Sequence, residues 1–129
     1  MANTPEEWIK QADYDMDTAQ AMFDACRYCY AVFMCHLALE KALKALYLQK
    51  TGEAPPKTHN LVFLAEKAEL SLSEADADFV FEINRVSLLT RYPEEIDKLQ
   101  QEFPKSKTQT ILLRGRQVLQ WLKEKQKKQ

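Results

Sequence analysis

The stretch YCYAVFMCHLALEKALKALYLQ, residues Tyr28 to Gln49, decides the fold: its 22 residues carry only three charges, Glu40, Lys41 and Lys44. In a helix, His36, Glu40 and Lys44 stack at i, i+4 and i+8, with Lys41 on their flank. The remainder is apolar or uncharged almost all round, the pattern of a helix buried at the centre of a bundle. Its charges must then face a groove, a partner chain or each other. Glu40 and Lys44 form an i, i+4 pair in the favourable order, worth about 0.2–0.5 kcal/mol on an exposed surface. That is too little to explain charges on so apolar a helix. A half-buried lysine without a counter-charge is costly, so the strip predicts a permanent partner: an acidic helix of the same chain, a second subunit or a phosphate. Contact from outside the bundle is the expectation carried forward.

The flanking sequence supplies the other helices. Thr4-Pro5-Glu6-Glu7 starts the first one, with Thr4 as N-cap, Pro5 in the first turn and Glu7 closing a capping box. Trp8, Ala12, Met16, Ala19, Phe23 and Cys26 then recur on one face. Arg27-Tyr28 reads as a short turn, the central helix as running from about Cys29 to Thr51, and Gly52 as its C-terminal cap. Pro55-Pro56 cannot be helix interior. Thr58 or Asn60 caps a short third helix through Leu61, Leu64, Ala65 and Ala68. Ser73 with Asp76 starts a fourth, carrying Phe79, Ile83, Val86 and Leu89 and ending before Pro93. An acidic turn from Glu94 to Glu102 can be helical behind Pro93. Ser106 or Thr108 opens the last helix, with Ile111, Gly115, Val118, Leu119 and Leu122 on one face. The tail from Lys123 to Gln129 is polar and predicted to fray. With no strand pattern, internal repeat or dividing linker, the expectation is a single all-α domain over residues 1–129. Its architecture is an up-and-down bundle of four to five helices, with an ordered core from about 4 to 122.

Composition narrows the function. The 129 residues hold 18 basic and 19 acidic side chains, so whole-molecule charge does not call for nucleic acid. The distribution is uneven: Pro104–Gln129 carries eight basic residues and one acidic, a local +7, while Ala65–Phe103 carries ten acidic and four basic, a local −6. The plain reading is that these segments pair or solvate separate faces; the sharper one is a basic tail touching RNA or DNA. Two glycines, neither in a phosphate-loop context, argue against a backbone-amide nucleotide cradle. No signal-peptide or membrane-spanning run is present, and three cysteines suit reduced thiols, so a cytoplasmic location is expected.

Cys26-x2-Cys29-x5-Cys35-His36 gathers four soft ligands, but Cys35 and His36 are adjacent and diverge by about 100° on a helix, which makes a closed zinc tetrahedron difficult. No metal or cofactor is expected. His36 reads as a hydrogen-bonded core residue and His59 as a loop or cap residue; either as a general base needs a partner within hydrogen-bond reach. Arg91-Tyr92-Pro93 closes the fourth helix. Pro93 stops it, Tyr92 is forced extended, and Arg91 sits near the C-terminal dipole. A guanidinium beside an aromatic ring suits phosphate or base stacking.

Three segments in order carry a family likeness: Ala38-Leu39-Glu40-Lys41-Ala42-Leu43-Lys44-Ala45-Leu46, then Lys57-Thr58-His59-Asn60-Leu61 after the proline pair, then Thr90-Arg91-Tyr92-Pro93. Together they resemble the HEPN domain family over Trp8 to about Leu122. The resemblance implies an up-and-down helical bundle, usually a homodimer. Small bacterial members act with a minimal nucleotidyltransferase in a two-component, toxin–antitoxin-like system. It further implies nucleotide binding, as the family name suggests, and makes His36, Glu40, Lys41, Lys44, His59, Arg91 and Tyr92 the candidates for a nucleotide or partner groove. RNA-cleaving members resemble one another in a late Arg followed four to six residues on by His. This chain has no histidine after Arg91, so the expectation is a non-catalytic binding module. Metal-independent RNA cleavage, with His59 and Arg91, is the alternative.

Overall fold

The structure is a computed structural model describing residues 3–90 and 92–128, without the side chain of Leu88. Among these residues there are six helices and no strand: α1 (Pro5–Asp24), α2 (Tyr28–Thr51), α3 (Leu61–Lys67), α4 (Glu74–Leu89), α5 (Pro93–Glu102) and α6 (Lys105–Lys127). The all-α bundle is therefore observed. The acidic segment is a full helix rather than a turn and brings the number to six.

The central helix is α2, which packs against all five others, most extensively against α1 and then α6. Ala31, Ala38, Ala42 and Ala45 are fully buried along it, and such small side chains let neighbouring helices approach closely. One close approach falls at Gly115 on α6, where an added Cβ would overlap the sulfur of the fully buried Cys35. Leu39, Leu61, Leu64, Ile83, Leu99, Phe103, Leu112 and Leu122 join Ala12, Met16 and Ala19 of α1 in one core drawn from all six helices.

Helix ends explain where sequence reading succeeded and where it slipped. The capping box on α1 forms in full: Glu7 N–H donates to Thr4 Oγ1 at 3.1 Å and Thr4 N–H to Glu7 Oε1 at 2.7 Å. Gly52 ends α2 in the left-handed region at φ 73°. Asn60, not Thr58, caps α3, accepting from Val62 and Phe63 N–H at 3.0 and 3.2 Å. Ser73 Oγ accepts from Asp76 N–H at 3.1 Å at the start of α4.

Cys26 departs from the expectation. It leaves the apolar face of α1 for the following turn, exposed and at φ 62°. There Arg27 N–H reaches Met22 O at 2.8 Å and Cys26 N–H reaches Phe23 O at 2.9 Å, a Schellman motif with cysteine in the usual glycine slot. Glu69, at φ 56°, ends α3 the same way through Leu70 N–H to Ala65 O. Neither stop is signalled by a glycine. Tyr28 already belongs to α2, one residue ahead of the expected start.

The last helix opens at Lys105 behind Pro104, rather than at Ser106 or Thr108, because the ring fixes φ at −68° and the extended residue serves as N-cap. Thr108 is fully buried and donates to Phe103 O at 3.2 Å. Helix α6 continues to Lys127, tied to α2 by Gln49 Nε2 donating to Gln126 O and Gln126 Nε2 to Gln49 Oε1. The acidic and basic segments do pair: Arg114 binds Asp76 at 2.5 Å and Lys107 faces Glu102, while Arg85 bridges Glu82 and Glu102 within the acidic segment itself.

Candidate functional site

The polar strip of α2 is buried. Glu40 is 3% and Lys44 7% exposed, and Lys44 Nζ donates to Glu40 Oε2 at 3.0 Å. The second carboxylate oxygen, Oε1, lies 2.9 Å from His59 Nδ1. An ionised carboxylate only accepts, so Nδ1 carries the proton. The His59 side chain is half-exposed. The loop that brings His59 here is shaped by its prolines: Thr58 N–H closes onto Pro56 O at 2.8 Å, and Thr58 Oγ1 accepts from Asn60 N–H at 3.2 Å. The strip thus finds its ionic partners within its own chain, correcting the expectation that contact must come from outside the bundle. One carboxylate serves two cationic or polar neighbours, which compensates the cost of burying it.

His36 is fully buried one turn before Glu40 and faces Asn84 on α4, Nε2 to Oδ1, at 3.4 Å. Burial pushes its pKa below the ordinary imidazole value, opposed by the nearby Glu40 charge and by Asn84. Asn84 Oδ1 also accepts from Leu61 N–H at 2.8 Å, and its Nδ2 donates to Asn60 Oδ1 at 3.2 Å. A single amide therefore ties the central helix, the α3 cap and α4 together. Asn84 was missed because its role depends on three groups distant in sequence.

Of the remaining candidates, Lys41 turns the other way and pairs with the buried Asp15 of α1 at 2.8 Å. That contact fastens α1 to α2 and separates Lys41 from the Glu40–His59 cluster. Tyr92 is half-exposed at the N-cap of α5, with backbone bonds to Leu89 and Glu95. Arg91 lies outside the described residues. Among those that are described, no group of three or more His, Cys, Asp and Glu side chains is placed to hold a metal. Cys26 is exposed in its turn while Cys29 and Cys35 are buried, all three as free thiols.

Beside the cluster lies a cleft of about 380 Å³ lined by Asn3, Trp8, Lys44, Leu48, Gly52, Pro55, Pro56 and Lys57, among others. The Lys44 ammonium sits 5.7 Å from the centre of the Trp8 ring, a cation–π contact. The indole Nε1 is buried without a hydrogen-bond partner among the described residues. Trp8 and Lys57 were not among the sequence candidates. In the sequence Trp8 was simply the first residue of an apolar stripe, and only the fold sets it against Lys44.

The architecture and these motifs define the class: the chain belongs to the HEPN domain family, whose profile matches residues 5–126. Its fold is similar to that of TT1696 from Thermus thermophilus, with a TM-score of 0.79 and 21% identity over 94% of this chain and 97% of that one. It is also similar to ST0689, an archaeal HEPN homologue, with a TM-score of 0.72 and 21% identity over 96% and 98% of the two chains. At such identity the likeness carries the fold alone. No curated protein matches the chain. No helix among the described residues is long and apolar enough to cross a membrane.

Proposed function

We propose that this HEPN protein is a binding module that takes a nucleotide in the Trp8–Lys44–Lys57 cleft. The observation that carries the reading is Lys44, a nearly buried ammonium held by Glu40 yet lining an open cleft beside an indole. A base stacks on an aromatic face, and phosphate oxygens pair with Lys44 and the exposed Lys57. His59 shares the Glu40 carboxylate with Lys44 and helps hold it in place. In this reading the protein is a homodimer whose nucleotide-bearing face also meets a minimal nucleotidyltransferase, within a toxin–antitoxin-like pair. The test is fluorescence titration with ATP, GTP and AMP in a Trp121→Phe background, so that Trp8 alone reports. Lys44→Met and Lys57→Ala are each expected to weaken binding about tenfold or more. Unchanged affinity in both would remove the site.

One observation favours a second reading. Glu40 orients His59 as a carboxylate orients a catalytic imidazole, leaving Nε2 to take or give a proton. That arrangement suits metal-independent RNA cleavage. RNA incubated with the protein in EDTA would be cut, and His59→Ala would abolish cutting. Intact RNA at high protein concentration rejects it.

A further inference from the structure

At the other end of α2, about 20 Å from Lys44 along the helix at roughly 1.5 Å per residue, lies a larger open cavity. Its volume is about 600 Å³, and Met22, Cys26, Arg27, Tyr28, Cys29, Tyr30, Phe33, Met34 and Gln100 line it. That volume lies within the range that holds small organic ligands. The walls are thioether and aromatic: Phe23 and Tyr28 stack tilted at 5.5 Å behind the turn, and Tyr30 is 42% exposed. Into this apolar setting projects one charged side chain, Arg27, and no acidic residue lines the cavity. No ion pair to the Arg27 guanidinium is found among the described residues, where most other arginines of the chain are committed: Arg85 to Glu82 and Glu102, Arg114 to Asp76, Arg116 to Gln20.

The turn is also strained. Cys26 occupies a left-handed position at φ 62° that glycine would take at less cost. The Cys26 side chain beside it and burial push the Tyr28 phenol above its ordinary pKa.

We propose that this corner is a binding site for a small aromatic anion, its ring among Tyr30, Phe33, Met22 and Met34 and its carboxylate, sulfonate or phosphate on Arg27. Gln100 of α5 is the one neutral polar side chain besides the tyrosines and thiols, too few partners for a sugar and polyphosphate. The ligand is therefore an apolar aryl monoanion rather than a nucleotide. The site is distinct from the Lys44 cleft.

The test uses 1-anilinonaphthalene-8-sulfonate on the full chain under native conditions, with unchanged helicity checked by circular dichroism. Saturable binding is expected, at least tenfold weaker in Arg27→Ala and partly retained in Arg27→Lys. The uncharged N-phenyl-1-naphthylamine should bind wild type and Arg27→Ala alike. Cys26 is the exposed thiol, so its reaction with Ellman's reagent reports location; bound probe should slow it several-fold. Full-rate Cys26 labelling at saturating probe, or equal sulfonate affinity in Arg27→Ala, overturns the proposal. Competitive displacement of the probe by ATP would also overturn it, by making this corner the nucleotide site. The first two outcomes leave the Lys44 reading intact, because Lys44→Met does not touch this cavity, whereas displacement by ATP with unchanged ATP affinity in Lys44→Met would overturn both.

Discussion

Substituting Glu40 by glutamine tests whether the ionic strip is a buried, internally compensated cluster. Glu40→Gln keeps the shape but removes the charge that holds both Lys44 and His59. Lys44, only 7% exposed, would be left without a counter-ion. Removing one partner of a buried pair costs about 3–5 kcal/mol. Because Lys44 lines an open cleft and can swing toward water, about 2–4 kcal/mol is expected here. The reverse change, Lys44→Met, leaves Glu40 its bond to His59 and preserves the aliphatic stem, so about 1–2 kcal/mol is expected. The double variant carries neither stranded charge, and its loss should be well below the sum of the two single losses. Urea denaturation followed at 222 nm measures all three. At about 3–5 °C per kcal/mol for a domain of this size, a thermal melt separates them too. Strict additivity, or a Lys44→Met loss as large as that of Glu40→Gln, would refute the buried-cluster account.

Other expectations follow from the same geometry. Gly115→Ala gains about 1 kcal/mol of helix propensity but drives a methyl into Cys35. Overpacking of about 1–3 kcal/mol wins, so the variant should melt lower, and Cys35→Ala in the same chain should restore part of the loss. Cys26→Gly and Glu69→Gly relieve the two left-handed caps and should each raise stability by about 1 kcal/mol in denaturant titration. Against pH, His36 and Cys35 act on opposite limbs. Burial lowers the His36 pKa, so the unfolded chain takes up a proton first and stability falls as pH drops below about 6.5. Burial pushes the Cys35 thiol up to about 12 from 9.0, so the unfolded chain loses its proton first and stability falls as pH rises through that window. His36→Gln should flatten the acid limb of a midpoint-against-pH plot, and Cys35→Ala the alkaline limb; unchanged limbs would contradict the burial.

Much of the architecture was legible because its signals are local. An apolar run too long for an amphipathic stripe marks α2 as central, and Thr4, Gly52 and Ser73 announce helix ends through groups within four residues. Where a stop depended on residues without such a signature, at Cys26 and Glu69, reading along the chain mistook a turn for a helix face or passed over it. The candidate site was half legible. Helical spacing set Glu40 beside Lys44, and the loop motif offered His59.

What the chain order alone determined is five of the six helices and the stacking of ionic groups along one face of the middle one. Which of those groups meet was decided only by packing. The loop after the proline pair returns His59 to Glu40, α1 draws Lys41 away to Asp15, and Trp8 swings over Lys44. Helical periodicity fixes the direction of a side chain relative to its own axis. The identity of the atom waiting there depends on how separate helices cross, and that is set by the sum of contacts across the whole core.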